Sequence, residues 1–444
     1  MSLSWHWLVS FRRDLHMHPE PGFAENRTRA AILKALGSQA GVSQEVLNEH
    51  PAMATTGLIV DIVGTGPPVA SPRSIMLRAD MDALRMTELN NDLPYRSASP
   101  GLAHMCGHDG HMAALIGTGV LLNSDAVRAK VPSNCKIRLL FQPAEETPGG
   151  AVPMIEAGCL EGIDEVYGWH NWSTAPLGTM LLCDGTIMAH DADFYITLTG
   201  KGGHGSAPAA CIDPVPCGAA VVLALQTIVS RTLPSKTNAV VSVTMFRAGE
   251  ATNVIPDTAE LAGTIRDLDQ GTFKIIVDAM RRMVEGTAAV YGCESEVRFE
   301  EGYAETSNHT ANTDIVGRLA GVEPRVMKVS EEGLPLMGTE DFGYYLREKP
   351  GCFFIVGTEE ERRRGLAALP WEGGEGAKET PGFGWANGMF KCAGVGGFCG
   401  PGDGEARGCC ARTNCCPHGT AFDFNDNALP FVVAMYLKIV EDRL

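Results

Sequence analysis

Four side chains that can bind metal ions crowd into six positions of the segment GLAHMCGHDGHMAAL, residues 101–115. Cys106 and His108 stand two residues apart where a helix is expected to begin, and Asp109 and His111 follow. The neighbouring glycines permit close backbone approach, so the thiol and the imidazole can point into one crevice and bind a transition metal. A single His or Cys is more often a core residue, and this segment alone leaves that alternative open.

Acidic and imidazole side chains also follow two buried strands. In QPAEE the adjacent carboxylates Glu145 and Glu146 lie just beyond a strand end, where one can bind metal while the other transfers protons. In GWHNW, His170 ends another apolar run between Trp169 and Trp172. A solvated acidic loop and a core histidine are the alternatives for these two motifs.

The elements that carry these residues alternate between short apolar strands and amphipathic helices. Buried strands are predicted at 74–83, 135–146, 165–172 and 352–358, in one parallel sheet with helices on both faces. Ligands of open α/β sheets collect beyond the carboxyl ends of the strands. The first three strands deliver His, Asp or Glu to that edge, which predicts a functional site there.

The pattern changes at about residue 190. From there to residue 303 the order is strand, helix, strand, strand, helix, strand, which is typical of a ferredoxin-like α+β unit. We therefore expect a domain at 190–303 inserted into a larger domain formed by 1–189 and 304–444. The larger domain closes with an amphipathic helix in DNALPFVVAMYLKIVEDRL, and Asp426 is its expected N-cap.

Residues 359–417 fit neither domain, because they are rich in Gly and charge and poor in periodic apolar positions. Such a composition cannot bury enough apolar surface to offset the entropy of ordering, so a disordered insertion is expected. A zinc knuckle is the alternative, although adjacent cysteine pairs match the spacing of structural zinc sites poorly. Its ligands would come from Cys392, Cys399, Cys409, Cys410, Cys415 and Cys416.

Composition and charge limit the partners. The 444 residues exceed one ordinary hydrophobic core, and a net charge of −17 without a long run of Lys or Arg argues against nucleic acid. No apolar run long enough to cross a membrane and no signal peptide are recognised, which predicts a soluble, cytoplasmic protein. Most of the 14 cysteines are expected to be reduced thiols.

Several segments, taken together and in order, resemble one known family. They are RRDLHMHPEPGFAENRT (12–28), LRADMDALRMTE (77–88), HMCGHDGHMAALIGTG (104–119), FQPAEETPGGAVPMIEAG (141–158), GWHNW (168–172), GKGGHGSAP (200–208), ATNVIPDTAELAGTIR (251–266), GTEDFGYY (338–345) and FDFNDNALP (422–430). They closely resemble the metal-dependent amidohydrolase branch of the aminoacylase and carboxypeptidase superfamily. That branch contains hippurate hydrolases, N-acyl-amino-acid amidohydrolases and indole-acetyl-amino-acid hydrolases, and the resemblance covers nearly the whole chain except 359–417.

The resemblance implies an α/β fold, with a three-layer zinc-peptidase-like catalytic domain and an inserted ferredoxin-like lid and dimerisation domain. It implies two divalent metal ions per subunit, Zn or Mn first and Co or Ni next, because a mixed sulfur, nitrogen and oxygen donor set does not suit Mg or Ca. The implied ligands are Cys106, His108, Glu146, His170 and His418. Glu145 would be the general base, and Asp82, accompanied by Asp80, would support the ligands from behind.

In the inserted domain the resemblance points to three residues. His204 would stabilise the oxyanion, while Asn253 and Arg266 would hold the free carboxylate of the substrate. A turn residue among glycines and a solvated charge at a strand end are the alternatives for His204 and Arg266. The implied reaction is hydrolysis of the amide bond of a small N-acyl amino acid, and the implied assembly is a homodimer through the inserted domain.

Two functions compete with this one. A dipeptidase or carboxypeptidase on the same scaffold typically carries His-x-Asp where this chain has DMD (80–82), and it lacks CGHDGH, which favours the amidohydrolase. A catalytically inert metal-binding relative is the other alternative, because the family usually joins the strand at 352–358 to its last metal histidine by a short loop. Here a long insertion precedes His418, although HGTAFDFND keeps the family spacing after it.

Overall fold

The structure is a computed structural model that describes residues 3–42, 53–146, 148–359 and 417–444. The chain divides into two compact units. The first, called here the large unit, comprises Met1–Asp184, Asn308–Glu332 and Tyr344–Leu444, and the second, the inserted unit, comprises Gly185–Ser307 and Gly333–Gly343. Both interpretations of 359–417, the disordered insertion and the zinc knuckle, fall on residues 360–416, which lie outside the described ranges.

The described helices are α1 (Trp5–Met17), α2 (Asn26–Gln39), α3 (His108–Leu122), α4 (Asp125–Arg128), α5 (Ala151–Glu156), α6 (Pro214–Thr227), α7 (Gln270–Tyr291), α8 (Thr310–Gly321), α9 (Gly343–Glu348) and α10 (Leu429–Arg443). The strands are β1 (Leu58–Val63), β2 (Ser74–Asp80), β3 (Lys136–Gln142), β4 (Glu165–Pro176), β5 (Thr179–Leu181), β6 (Gly185–Met188), β7 (His190–Thr199), β8 (Gly203–His204), β9 (Val240–Ala248), β10 (Val254–Ile255), β11 (Thr258–Asp267), β12 (Glu294–Glu301), β13 (Thr306–Asn308), β14 (Lys328–Ser330) and β15 (Gly351–Glu359).

The large unit contains a seven-stranded sheet in the order β1-β3-β2-β4-β15-β5-β14. Strands β3, β2, β4 and β15 are mutually parallel, which confirms the predicted α/β architecture. Two further strands, which were not predicted, are antiparallel to their neighbours: β1 runs against β3, and β5 runs against β15. The chain reverses after β4 at Gly178, whose φ of 89° suits glycine, and β5 therefore returns against β15.

Helix α3 lies against β2 and is surrounded by α1, α2 and α10. All of its residues from His108 to Leu122 are buried, because its sequence is apolar on every side after the first turn. A helix that is hydrophobic all round belongs in a core, and here it forms the centre of the large unit. Its amino end therefore delivers the CGHDGH motif to the edge of the sheet.

The inserted unit contains a four-stranded antiparallel sheet in the order β12-β7-β11-β9. Alternate residues of β7, among them Phe194, Ile196 and Leu198, are buried against helices α6 and α7. Asp269 caps α7 by accepting a hydrogen bond from the Thr272 N–H (2.9 Å). In chain order the elements are β7, α6, β9, β11, α7 and β12, with the short β8 and β10 between them.

Two local expectations are wrong. The run Pro214–Thr232, 19 residues that include α6, is long and apolar enough by length and composition to cross a membrane, contrary to the sequence prediction. Its buried face, including Cys217, Val221 and Leu225, packs in the core of the inserted unit, as a core helix does. Asp426 does not cap α10, because a 3₁₀ turn capped by Asn425 precedes that helix.

Candidate metal centre

The carboxyl ends of β2 and β3 bring Asp82 and the pair Glu145 and Glu146 together. The two oxygens of the buried Asp82 carboxylate accept the backbone N–H groups of Glu145 and Glu146, each at 3.0 Å. Nδ1 of His108 lies 3.0 Å from the main-chain oxygen of Asp82. Asp82 thus holds both the acidic loop and the imidazole at the start of α3.

Three buried side chains form the first possible ligand group: Cys106, His108 and His170. Their ligand atoms lie within 4.8 Å of one another, and Cys106 Sγ is 3.3 Å from His170 Nε2. Nδ1 of His170 lies 2.7 Å from the main-chain oxygen of Asn171, which orients the ring and leaves Nε2 towards the thiol.

A second possible group consists of Cys106, Glu146 and His418. Nε2 of His418 lies 3.2 Å from Oε1 of Glu146. The His418 backbone N–H donates to the Met105 carbonyl (2.7 Å), next to the thiol, while 56% of its side chain remains exposed. The five predicted ligands therefore fall into two groups that share Cys106.

The residues present fit a divalent metal. Nε2 of His108 is buried and has no hydrogen-bond partner among the described residues. It lies 3.7 Å from carboxylate oxygens of Asp80 and Glu145 and 3.9 Å from Glu146, which is too far for hydrogen bonds but natural around a shared ion. One thiol, three imidazoles and a carboxylate are donors that suit Zn and its transition-metal neighbours.

Burial and neighbouring carboxylates shift the pKa values of Cys106 and His108. Burial raises the pKa of the Cys106 thiol well above its usual value, and Glu146 and Glu145 raise it further. Burial opposes protonation of His108, but Asp80 and Asp82 outweigh it and raise the pKa of this imidazole to about 10. A bound cation requires both groups to release their protons, so metal binding and proton release are coupled at this site.

Two residues outside the predicted ligand set complete the surroundings of α3. His111 Nδ1 lies 2.7 Å from Oδ1 of Asp80, and its Nε2 lies 2.7 Å from Oδ1 of Asn171. Asp80, His108 and His111 also form a possible ligand group of their own. The CGHDGH spacing marked His111 as metal-capable, whereas Asn171 could be found only from its position beside His170.

Asp109, the fourth metal-capable residue of the segment, points away into a buried ionic cluster. Its Oδ2 accepts from Arg12 Nη1 (3.1 Å) and lies 2.9 Å from His16 Nδ1. Arg12 also donates to Asp426 (2.8 Å) and lies 3.4 Å from Asp423. Although burial opposes ionisation, His16 and Arg12 hold the pKa of Asp109 well below its usual range.

The three residues predicted in the inserted unit fall into two places. His204 and Asn253 adjoin each other, because β8 pairs with β10 and the Gly205 N–H donates to the Asn253 carbonyl (2.8 Å). His204 is exposed, and its Nδ1 lies 2.8 Å from the Ser206 hydroxyl. Arg266 lies near the far end of β11, where it donates to the Ile265 carbonyl (2.8 Å) and faces Asp191 at 3.9 Å.

Comparison with known proteins decides the family. The sequence profile of peptidase family M20/M25/M40 matches residues 76–369, about two thirds of the chain. The chain belongs to this family. Among solved structures, a dinuclear metal-binding M20-family peptidase of Bacillus subtilis superposes with a TM-score of 0.71 at 28% identity, covering 98% of this M20 chain and 97% of that one.

This M20 chain is also similar to individual curated proteins. It is 38% identical over 357 residues to an N-acetylcysteine deacetylase of Bacillus subtilis (79% of this chain, 88% of that protein). It is 38% identical over 305 residues to an N-acyl-L-amino acid amidohydrolase of Geobacillus stearothermophilus (68% and 78%). A thermostable carboxypeptidase of Saccharolobus solfataricus is equally similar, 38% over 360 residues (80% and 87%). The resemblance to the amidohydrolase branch is confirmed.

Proposed function

We propose that the protein hydrolyses the amide bond of N-acyl amino acids to a carboxylic acid and a free amino acid. The observation that carries this proposal is the pair of ligand groups that share Cys106, with the carboxylate of Glu145 beside them. The relatives named as deacetylases and amidohydrolases of acyl amino acids support the same reaction. Two bound divalent ions would supply Lewis acidity towards water and the amide carbonyl.

Glu145 is the proposed general base. Its carboxylate is only 7% exposed, and its backbone is fixed by Asp82, so it can hold one orientation towards a water molecule between the ligand groups. It accepts the proton of the attacking water as the new C–O bond forms. It then returns that proton to the departing amine nitrogen as the C–N bond breaks, which balances the reaction without another proton donor.

Residues of the inserted unit are proposed to contact the substrate. His204, exposed and held by Ser206, can donate from Nε2 to the oxyanion. Asn253 beside it, and Arg266 with its guanidinium, are proposed to bind the free carboxylate of the amino acid. The three single alanine variants separate these roles, because loss of an oxyanion donor lowers kcat whereas loss of a carboxylate partner raises KM.

Glu145→Gln tests the proposed function. The variant keeps the shape of the side chain but cannot accept a proton, so we expect wild-type metal content and a turnover lower by roughly three orders of magnitude or more. Metal analysis and a panel of N-acetyl, N-benzoyl and indole-acetyl amino acids measure both. Glu156→Gln, on the exposed face of α5, is the control. Wild-type turnover in Glu145→Gln would overturn the assignment.

A carboxypeptidase is the second candidate, favoured by the similarity to the thermostable enzyme. Peptides with a free carboxyl terminus belong in the same panel. Faster cleavage of peptides than of every acyl amino acid would favour this candidate, and two bound metals without turnover on either class would indicate an inert relative.

We also propose Zn or Mn as the resident ions, a homodimer and a cytoplasmic location. Within the inserted unit, edge strand β9 exposes Met245 and Phe246, and α6 exposes 72% of Leu223. An exposed apolar edge of this kind suits pairing with a second copy. Sedimentation equilibrium tests the dimer, and Leu223→Glu should shift it towards monomer. The eight described cysteines are all free thiols, which suits a reducing compartment.

A further inference from the structure

The motif RRDLHMHPEPGFAENRT contributes a buried carboxylate, Glu25, that the proposed reaction does not use. Glu25 immediately precedes α2, and the Arg29 N–H donates to its main-chain oxygen at 2.9 Å. Its side chain is turned away from solvent towards the loop that follows β3. We propose that Glu25 is a positioning residue for the loop that carries Glu145 and Glu146; this inference rests on the proposed function.

Two buried carboxylates hold three successive backbone N–H groups of that loop. Oε1 of Glu25 accepts the Ala144 N–H at 2.9 Å, and the Asp82 oxygens accept the N–H groups of Glu145 and Glu146 at 3.0 Å each. Asp82 fixes the two residues that do chemistry, and Glu25 fixes the residue before them. The direction in which the acidic pair leaves β3 therefore depends on both carboxylates.

Ala144 needs this support because its backbone is unfavourable. Its φ is +53°, in the left-handed region, which is unfavourable for a residue with a Cβ. It is also fully buried, so its N–H would have no water to bind if Glu25 were removed. Relaxation of Ala144 to an ordinary φ would rotate the following peptide and move Glu145 and Glu146 with it.

Glu25 is itself held from the other side. The Thr56 hydroxyl donates to Oε2 of Glu25 at 2.5 Å, and both side chains are buried. With one oxygen engaged by Thr56 and the other by Ala144, the carboxylate has a single orientation. The side-chain hydrogen bonds of Glu25 go to Thr56 and to the Ala144 N–H, neither of which is a proposed ligand or a reacting atom, so its action passes through the backbone of Ala144.

The consequence for metal binding is asymmetric. Glu146 belongs to the ligand group with Cys106 and His418, and it also lies with Glu145 near His108, whereas Cys106, His108 and His170 form a group without any loop residue. Displacement of the loop should weaken binding of one ion and leave the other in place. It should also lower kcat through Glu145 while changing KM little, because the proposed carboxylate partners lie elsewhere.

The experiment compares Glu25→Ala, Glu25→Asp and Glu25→Gln in the full chain, with zinc as the probe ion. Glu25→Ala and the shorter Glu25→Asp should bind about one zinc per chain instead of two and lose roughly 10- to 100-fold in kcat. Glu25→Gln keeps an acceptor for Ala144 and an amide donor for the Thr56 hydroxyl. We expect it to bind two zinc ions and to stay within about threefold of wild-type kcat.

Glu20→Ala is the matched control. Glu20 lies in the same motif and accepts the N–H groups of Arg27 (3.1 Å) and Thr28 (2.8 Å), but it does not hold the loop. Glu20→Ala should lower thermal stability and leave two zinc ions bound. Equal zinc loss in Glu20→Ala and Glu25→Asp would reduce the effect to general destabilisation and overturn the proposal.

Two zinc ions and wild-type kcat in a folded Glu25→Ala or Glu25→Asp would also overturn the inference, as would equal losses in Glu25→Gln and Glu25→Asp. Should Glu25→Ala not fold, the comparison of Asp with Gln still decides. Zinc titration requires no substrate. Failure of the wild type to hydrolyse any acyl amino acid would therefore count against the proposed function alone.

Discussion

Cys106 occupies a special position, because its sulfur is the one atom that the two proposed ligand groups have in common. The sequence motif identified this thiol, and the strand ends identified Glu145, Glu146 and His170, since each motif is local. The hydrogen bonds between Arg12 and Asp109 and between His111 and Asp80 could not be predicted in the same way. They join residues from different elements, and only the packing of α1 against α3 and of α3 against β2 brings them into contact.

Because the two ligand groups share the Cys106 thiol, Cys106→Ala and His418→Ala should differ in metal content. Cys106→Ala removes a ligand from both groups, so we expect the variant to retain less than one ion per chain. His418→Ala removes a ligand from one group and should retain about one ion while losing most activity. Metal analysis after dialysis distinguishes the two, and equal losses would argue against a shared thiol.

His16 makes a prediction for stability against pH. Burial alone would lower the pKa of His16, but Asp109 and Glu88 outweigh both burial and the nearby Arg12 and raise it to about 9. The neutral ring of His104 also lies alongside, with centroids 6.5 Å apart. Because the folded pKa exceeds the unfolded value of about 6.5, this contribution is complete below about pH 6.5 and is lost as pH rises through about 9.

His16→Gln should therefore cost on the order of 3 kcal/mol of unfolding free energy at pH 6 and clearly less at pH 9.5. Urea unfolding at the two pH values, after a chelator has removed bound metal from the protein, measures the difference. His6→Gln, exposed on the same helix, should show no such dependence. A loss of unfolding free energy in His16→Gln that grows with pH would contradict this prediction.

At the scale of elements, the parallel central strands could be predicted because they are continuous apolar runs, and the two long helices of the inserted unit because they are long apolar or amphipathic segments. The antiparallel strand β5 could not, because it is only three residues long and its direction is set by the turn at Gly178. The role of Asp426 was also missed. Its carboxylate accepts hydrogen bonds from Arg12 and Arg13 of α1, and no local capping pattern reveals these partners.

A substitution at Gly107, the N-cap of α3, should affect both stability and metal content. Its φ is +105°, and a Cβ at this position would lie 2.1 Å from Oδ1 of Asn171. Gly107→Ala should therefore destabilise the protein by about 2–5 kcal/mol and reduce metal content, because strain and overlap act at the same residue.

The control for this prediction is Gly286→Ala, in the middle of α7. A Cβ there has no atom within 4 Å, so the variant should gain about 0.5–1 kcal/mol from reduced chain entropy. Thermal unfolding of both variants checks the pair. A neutral Gly107→Ala would show that α3 can begin in another way.

At the scale of the whole molecule, residues 89–95 anchor the segment after His418. Asn90 Nδ2 donates to the Phe422 carbonyl (2.9 Å), the Leu89 N–H donates to the Thr420 carbonyl (2.8 Å), and the Tyr95 hydroxyl donates to Asp423 (2.8 Å). We therefore predict that replacement of 362–412 by a short Gly/Ser linker preserves folding, metal content and hydrolysis, because loop-closure entropy varies slowly with length.

Metal analysis and turnover of that deletion variant provide the check, with the unmodified chain as reference. Loss of an ion on deletion, together with full metal content in His418→Ala, would assign a ligand role to the cysteine cluster instead.

The contact between Arg12 and Asp426 spans 414 positions of the chain. At about 5–20 residues per second, a ribosome needs roughly 20 to 80 s to travel from one to the other. During that interval α1 is available while the residues that complete its ionic cluster and the last proposed ligand, His418, are still unmade. The ligand group that contains His418 therefore cannot be completed until the end of synthesis, whereas the group of Cys106, His108 and His170 is translated much earlier.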